Sequence, residues 1–399
     1  MQWQSISLFR LHKIFVVRLP HHWGSNFLLE ELDMKIEAAV IYEKNGPFIF
    51  DELDLDDPMD DEVLVRNVAS GICHTDTFGR TLGWPIPLPL VLGHEGAGIV
   101  EKVGSNVKNL KPGDHVCFSY AFCGHCNECL SDIPNYCEHF NDINFGGVSS
   151  HGGTRLHKDG KPVSMFFGQS SFATHSVVNM NTCIKVDPDV DLAYAAPIGC
   201  GLQTGAGTVL NIIRPRLSDT IAVFGCGAVG LAAVMGALIA RCEKVIAVDI
   251  SEKSLALAQE LGAIPVNSRN KSGDEVVAEI KKICPHGVSY AINTTGVGDV
   301  ILSALRSTKV HGTLITVAPS GVIKELNVGI DVLMHYRTIK GICEGDSVPG
   351  VFIPELLRMF KEGLFPIDKL VTTFPFHQID NAFAAAGRTA LKAVMRIPE

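Results

Sequence analysis

The sequence predicts an α/β protein of two domains, and three observations carry that expectation. Its 399 residues are more than one ordinary core organises. Residues 34–200 form short apolar runs broken by Gly, Pro and Asp, the pattern of a barrel-like β domain. Residues 201–343 change rhythm to strand, turn and helix, which builds a doubly wound parallel sheet.

In the first domain the strand signals are Val63-Leu64-Val65, Gly98-Ile99-Val100 and His115-Val116-Cys117-Phe118. In the second, Thr220–Phe224 reads as a buried strand and Ala228–Ala240 as a helix of small and apolar residues. Val245–Val248 is the next strand and Ser251–Leu261 the next helix, with later strands at Val288–Ile292, Thr313–Val317 and Thr338–Ile342. Residues 344–399, with helices near Pro354–Lys361 and Ile379–Ala386, are too few for a domain and are expected to return to the first one. Residues 1–33 are expected to lie outside the core fold, because periodic sequence begins only at Met34. Through residue 29 they hold Arg10, Lys13 and Arg18 and no acid, so a targeting peptide competes with a plain extension or an early start codon. A secretory leader fits poorly, since Ile14-Phe15-Val16-Val17 is a short apolar core with no small-residue cleavage site after it.

Composition narrows the function. Hydrophobic residues at 46% and charged residues at 19% suit a compact soluble chain. A net charge of −9 without a Lys/Arg cluster gives no pull toward nucleic acid or anionic lipid. No apolar run is long enough to cross a bilayer, so a cytoplasmic location is expected. Twelve cysteines raise the question of disulfides, but four of them crowd into one fifteen-residue stretch, which points to metal first.

Gly225-Cys226-Gly227-Ala228-Val229-Gly230 matches G-x-G-x-x-G directly after a strand and opens a helix. Asp249 ends the next strand, nineteen residues after Gly230. Gly225 permits the tight turn, Gly227 lets the backbone approach a pyrophosphate, and Gly230 lets helix and strand pack closely. The N–H groups at Ala228 and Val229 face the phosphates with the positive end of the helix dipole. Asp249 accepts hydrogen bonds from a ribose diol and repels a 2′-phosphate, so NAD is expected rather than NADP.

Cys123, Cys126, Cys129 and Cys137 give C-x2-C-x2-C-x7-C, a spacing that closes a tetrahedral zinc site. An iron–sulfur cluster is the competing metal. Four thiolates leave no open position, so the role is structural, and His125 inside the motif reads as a surface residue. Farther apart stand Cys73 in Gly71–Asp76, His94 in Gly93–Gly96 and Cys200 in Pro197–Gly201. Each alone is unremarkable, but together they supply three zinc ligands and leave a fourth position open.

From about Met34 to its end, the chain resembles the zinc-containing medium-chain alcohol dehydrogenases. The resemblance rests on Gly71–Asp76, Gly93–Gly96, the four-cysteine lobe, Cys200, the Gly225–Gly230 turn and Asp249, in that order. Two cysteines with one histidine are the donor set alcohol dehydrogenases are known for, so this ligand assignment follows from the likeness. Asn144–Gly147, Glu344–Pro349 and Phe365–Leu370 make the chain most similar to the aryl or benzyl alcohol dehydrogenase branch.

The likeness implies a GroES-like catalytic domain around a Rossmann domain, with two zincs per chain. Cys73, His94 and Cys200 would hold the catalytic zinc, and Cys123, Cys126, Cys129 and Cys137 the structural one. Asp76 would fix the His94 ring, Glu95 would sit beside the catalytic zinc, and Thr75 would accept the alcohol proton. His74 and Lys392 would face the cofactor pyrophosphate. A small-molecule alcohol or aldehyde is the expected partner, and a homo-oligomer is expected, with the strand Thr313–Val317 extending the sheet across a two-fold axis.

Three activities fit: an aryl or allylic primary-alcohol dehydrogenase, a glutathione-adduct dehydrogenase acting on hydroxymethyl thiols, and a zinc- and NAD-binding sensor without turnover. The intact Cys73, His94, Cys200, Thr75 and Glu95 set argues against the third. One departure stands out. Many family members carry a histidine five residues after the first zinc ligand, ending a proton relay, and here that residue is Phe78. With Trp84 and Tyr120, Phe78 is expected either to pack in the core or to make the site more apolar.

Overall fold

The computed structural model describes residues 34–317, 325–389 and 391–398; the expected extension of residues 1–33 lies outside them. Six parallel strands form one sheet, in the order Ile264–Asn267, Lys244–Asp249, Thr220–Phe224, Val288–Asn293, Thr308–Thr316 and Thr338–Gly341. Numbered by chain position that order is 3-2-1-4-5-6, the doubly wound arrangement whose ligand crevice opens between the first and fourth strands. The chain builds it because the strands are nearly continuous in Val, Ile and Ala, buried on both faces, with Gly and small residues at each turn.

Helices cover both faces. Ala228–Ile239 has nine buried residues and almost no polar face, which fits a position between the sheet and the helix Gly201–Gly207. Gly273–Ile283 and Gly298–Ser307 were absent from the sequence expectation. The first was legible: Ser272 Oγ accepts the Glu275 N–H and the Glu275 carboxylate accepts the Ser272 N–H, a reciprocal cap. A helix expected from Pro354 begins at Pro349, where a missing N–H costs nothing because the first turn has no partner for it.

Two further sheets form the β-rich part. The larger runs Cys183–Lys185, His115–Phe118, Gly96–Val103, Glu62–Gly71, Lys392–Arg396, Val371–Pro375, and His175–Asn179 also pairs with Glu62–Gly71. The C-terminal strand Lys392–Arg396 thus lies beside Glu62–Gly71, with Val394 opposite Gly71. The smaller sheet joins Leu90–Val91, Met34–Ile41, Ile49–Leu55, Leu156–Lys158 and Lys161–Val163. One buried core crosses between the parallel and antiparallel parts, uniting Ala69, Ala97 and Val394 with Ile221, Leu231 and Ile353.

The strand expected to extend the sheet across a two-fold axis is interior. Thr308–Thr316 is paired on both sides, and Thr338–Gly341 is the edge strand. An apolar strand with polar flanks reads the same at an edge and inside a sheet, so the sequence alone did not separate the two.

Candidate active site and metal centres

Cys73, His94, Glu95 and Cys200 come from three separate stretches, yet one ligand atom from each lies within 4.8 Å of the others. Cys73 follows the strand Glu62–Gly71 and opens the short helix His74–Arg80. His94 and Glu95 lie between Leu90–Val91 and Gly96–Val103, and Cys200 opens Gly201–Gly207. Gly71 is required here, because a Cβ at that position would stand 2.1 Å from Glu95 Oε2.

Asp76 organises the cluster. Its carboxylate accepts the Cys73 N–H at 2.9 Å, the Gly93 N–H at 3.2 Å and a hydrogen bond from His94 Nδ1 at 2.9 Å. Both Asp76 and His94 side chains are fully buried. With Nδ1 engaged, Nε2 carries the lone pair, and it is a buried nitrogen without a hydrogen-bond partner. Such an orphan is costly unless a metal takes it. The two thiols point the same way. The hydrogen bond from Cys200, helped by His94, draws Cys73 well below the ordinary thiol range, while Cys200 moves up as the donor. A cation in place of the shared proton lets both be thiolates. The donor set fits zinc with an open position. Burial alone has the opposite effect on the core thiols Cys117 and Cys183, which are pushed up and stay inert.

Cys123, Cys126, Cys129 and Cys137 form the second cluster, again with ligand atoms within 4.8 Å of each other. Gly124, at φ +76, makes the turn between the first two possible. Backbone N–H groups, that of Cys129 foremost, hold the Cys126 thiol down at about 6. Among the described cysteines none is in a disulfide. Four thiols closing on one point fit a structural zinc.

At the crevice, Gly225 takes φ +89 and its N–H bonds the Val248 carbonyl at 2.9 Å. A Cβ on Gly230 would lie 1.8 Å from the Gly225 carbonyl oxygen, so helix and turn touch only because residue 230 has no side chain. Around Gly227 a Cβ would meet nothing within 4 Å, which is the open ground a pyrophosphate needs. Asp249 is tied to the turn, accepting the Cys226 N–H at 2.5 Å and the Ser251 N–H at 2.7 Å. A cavity of about 690 Å³ opens here, and besides Gly225, Gly227 and Asp249 it is lined by Lys253, Arg269, Lys271 and Arg388. Sequence reasoning had not singled out those four cations, which carry no motif.

Lys392 has a partner that its motif-free sequence did not show. Its ammonium is buried against Glu95, 2.8 Å from each carboxylate oxygen, and 3.3 Å from the Ile72 carbonyl. Burial opposes its charge, but the Glu95 carboxylate outweighs burial and raises its pKa. The strand Lys392–Arg396 lies beside Glu62–Gly71, the strand that leads into Cys73, so its first residue comes close to the metal cluster. His74 is exposed, and Thr75 stands next to the cluster, its Oγ1 3.7 Å from Cys73 Sγ.

Aromatic rings run outward from His94. Phe167 stacks on its imidazole at 4.5 Å and Phe166 meets it edge-on at 5.6 Å. Phe145 touches both phenylalanines, Trp84 stacks on Phe145 at 4.1 Å, and Phe78 meets Trp84 at 4.5 Å. Phe78 and Trp84 therefore belong to one continuous cluster of rings with Phe145, Phe166 and Phe167, beside His94. Tyr120 shares their buried core and joins these rings only through Phe140: its hydroxyl donates to the Ser347 carbonyl and its ring meets Phe122 and Phe140.

Glu344 was quoted only within a likeness motif, yet its carboxylate lies 3.8 Å from Cys200 Sγ and accepts from Thr204 Oγ1 at 3.2 Å. Glu344, Gly345 and Asp346 all have positive φ, between 46° and 65°. That turn is pinned to the cysteine lobe by Asn135 and Tyr136, which both donate to Asp346 Oδ1.

A dinucleotide crevice beside a cysteine–histidine metal cluster defines a zinc-binding dehydrogenase. Residues 59–188 match the family profile for the alcohol dehydrogenase GroES-like domain, and residues 228–362 that for zinc-binding dehydrogenases. The geraniol dehydrogenase of Castellaniella defragrans is 40% identical over 365 residues, covering 90% of this chain and 97% of that one. Among crystal structures, an alcohol dehydrogenase zinc-binding domain protein from Burkholderia ambifaria superposes with a TM-score of 0.87 at 43% identity, over 92% of this chain and all of that one. The benzyl alcohol dehydrogenase of Acinetobacter calcoaceticus gives 0.86 at 39% identity, with the same coverage. The chain belongs to the zinc-containing medium-chain alcohol dehydrogenases.

Proposed function

We propose that this protein is a zinc-dependent, NAD-linked dehydrogenase that interconverts primary alcohols and aldehydes, with aryl or allylic alcohols preferred. The observation that carries the reading is the unpartnered His94 Nε2 between two thiols, at the inner end of an aromatic wall. The likeness to a geraniol and a benzyl alcohol dehydrogenase supports the substrate class.

Cys73, His94 and Cys200 would hold the catalytic zinc, and the four-cysteine lobe a second one. When bound, zinc supplies Lewis-acid polarisation of the substrate oxygen and NAD an acceptor for the hydride. Asp76 keeps the His94 tautomer fixed. Thr75, whose Oγ1 lies 3.7 Å from Cys73 Sγ, would take the alcohol proton. Lys392 balances Glu95, so the cluster is spared one uncompensated buried carboxylate. With Phe78 at the usual histidine position, the proton leaves Thr75 through water or the exposed His74. The rings of Phe166, Phe167 and Trp84 exclude water and receive an apolar substrate.

The Gly225–Gly230 turn holds the pyrophosphate and Asp249 the adenosine ribose. Lys253 and Arg269 line the same cavity, so cofactor choice is the demanding part of the test. The test is a panel of benzyl alcohol, geraniol, ethanol and formaldehyde with glutathione, each run with NAD and with NADP. Benzyl alcohol and geraniol are expected to reduce NAD fastest, and Asp249→Ser to move preference toward NADP by at least tenfold. Faster wild-type turnover with NADP would overturn the role of Asp249, and turnover restricted to formaldehyde with glutathione would overturn the substrate class.

An oligomer also follows. The edge strand Thr338–Gly341 is exposed, and Ile330, Leu333, Met334 and Tyr336 just before it are each 67–74% exposed. A second copy is the natural cover for such a surface. Sedimentation should find no monomer at micromolar concentration, and a monomer there would remove the proposal.

A further inference from the structure

The four-cysteine lobe holds more metal-binding side chains than one zinc uses. Cys123, His125 and His139 form a separate group whose ligand atoms also lie within 4.8 Å of one another. The two imidazole rings stand 6.1 Å apart, and both histidines are exposed, whereas Cys126 and Cys137 are buried. Cys123 is half-buried and belongs to both groups. Gly124 at φ +76 turns the chain so that His125 folds back over Cys123. His125 Nδ1 bonds the Cys123 carbonyl at 2.9 Å, and the His125 N–H points to Cys123 Sγ at 3.5 Å. A ring that donates from Nδ1 leaves Nε2 as the free lone pair, the preparation that metal-binding histidines receive from a backbone carbonyl. The lobe's charge suits a cation as well. Between Cys123 and Phe145 stand Glu128, Asp132, Glu138 and Asp142, and no Lys or Arg. Such a surface concentrates divalent cations near it.

We propose that Cys123, His125 and His139 form a third, outward-facing metal site, which shares the Cys123 thiolate with the buried site and through which zinc enters and leaves it. Two imidazoles and a thiolate are a borderline-soft set suited to Zn²⁺ rather than to Mg²⁺ or Ca²⁺. A thiolate has lone pairs enough to touch both positions, so zinc can pass inward without becoming free in solution. The proposal rests on the reading that the four cysteines hold zinc, and the first measurement below tests that reading separately.

The holoenzyme as purified is analysed for zinc, then dialysed against micromolar free Zn²⁺ and analysed again. Two zincs per chain are expected before dialysis and three after it for the wild type. His139→Asn and His125→Asn, both at exposed positions, should start at two and remain at two. Exchange of the lobe zinc with added isotopically labelled Zn²⁺ should slow at least tenfold in the double variant, with the unfolding temperature unchanged. Fewer than two zincs before dialysis would overturn the structural-zinc reading itself. Wild type that stays at two zincs, variants that still gain a third, or equal exchange rates would each overturn the third site or its role in transfer.

Discussion

His94→Ala is expected to lower alcohol oxidation by about a thousandfold or more while leaving a folded chain. The arithmetic is simple: losing the polarised oxygen removes several kcal/mol of transition-state stabilisation, and each 1.36 kcal/mol is about tenfold in rate. The fold survives because the ligands stand at the ends of elements, outside the strand ladders: Cys73 and Cys200 begin helices, and His94 sits between strands. Asp76→Asn gives the graded version. The Asp76 carboxylate accepts three N–H groups, from Cys73, Gly93 and His94. An amide has one oxygen and must turn its NH2 toward a donor, so metal affinity should fall roughly 10- to 100-fold. Cys126→Ala should behave in the opposite way, because a structural metal contributes directly to folding free energy. It should lower the unfolding temperature and the yield of folded enzyme, with kcat per catalytic zinc much less affected. Elemental analysis, circular dichroism and kcat on the same preparations read all three. Two zincs retained by His94→Ala, or full activity in it, would refute the assignment of the catalytic site.

The reason these residues were legible in sequence is that each carries its chemistry in its spacing or its neighbours. C-x2-C-x2-C-x7-C closes on one point by local turns alone, and the Gly-rich turn is bounded by a strand that reads the same in sequence and structure, Thr220–Phe224. Residues that act through tertiary placement were not legible. Phe166 and Phe167 reach His94 only because Ser170 and Gln169 fold their loop back onto Phe166, and nothing in their own sequence says so. Glu344 arrives beside Cys200 by a left-handed turn held from the cysteine lobe more than two hundred residues away. Lys392 was placed by likeness at the pyrophosphate. Its ion pair with Glu95 comes from the pairing of its strand beside Glu62–Gly71, which its own sequence does not announce. The same limit applied to the interior strand Thr308–Thr316, which pairs with the strands before and after it in the chain, a placement its own apolar pattern does not show.

A benzyl- or geraniol-type alcohol should show kcat/KM roughly a hundredfold above that of ethanol. Burying a phenyl-sized group is worth about 2–3 kcal/mol, and ethanol's second carbon gains far less. The rings proposed to receive it run continuously from the metal cluster: His94, Phe166 and Phe167, then Phe145, Trp84 and Phe78. Trp84 is the centre of its outer half, in contact with Phe78, Phe145 and Phe166. Trp84→Ala should therefore cut kcat/KM for benzyl alcohol at least tenfold and change that for ethanol by only a few-fold, which a general loss of folding would not do. Phe78→His separates packing from proton transfer. The Phe78 ring fills space that Gly83 leaves open, since a Cβ on Gly83 would stand 2.2 Å from it. A histidine there loses edge-on contact with Trp84 while adding a group able to carry a proton, so the two effects oppose and the rate gain should stay within a few-fold. A large gain would mean that proton release limits turnover and that Phe78 was excluded from the relay at a cost to rate. Equal or better efficiency with ethanol in the wild type would remove the aryl and allylic preference and leave the zinc dehydrogenase standing.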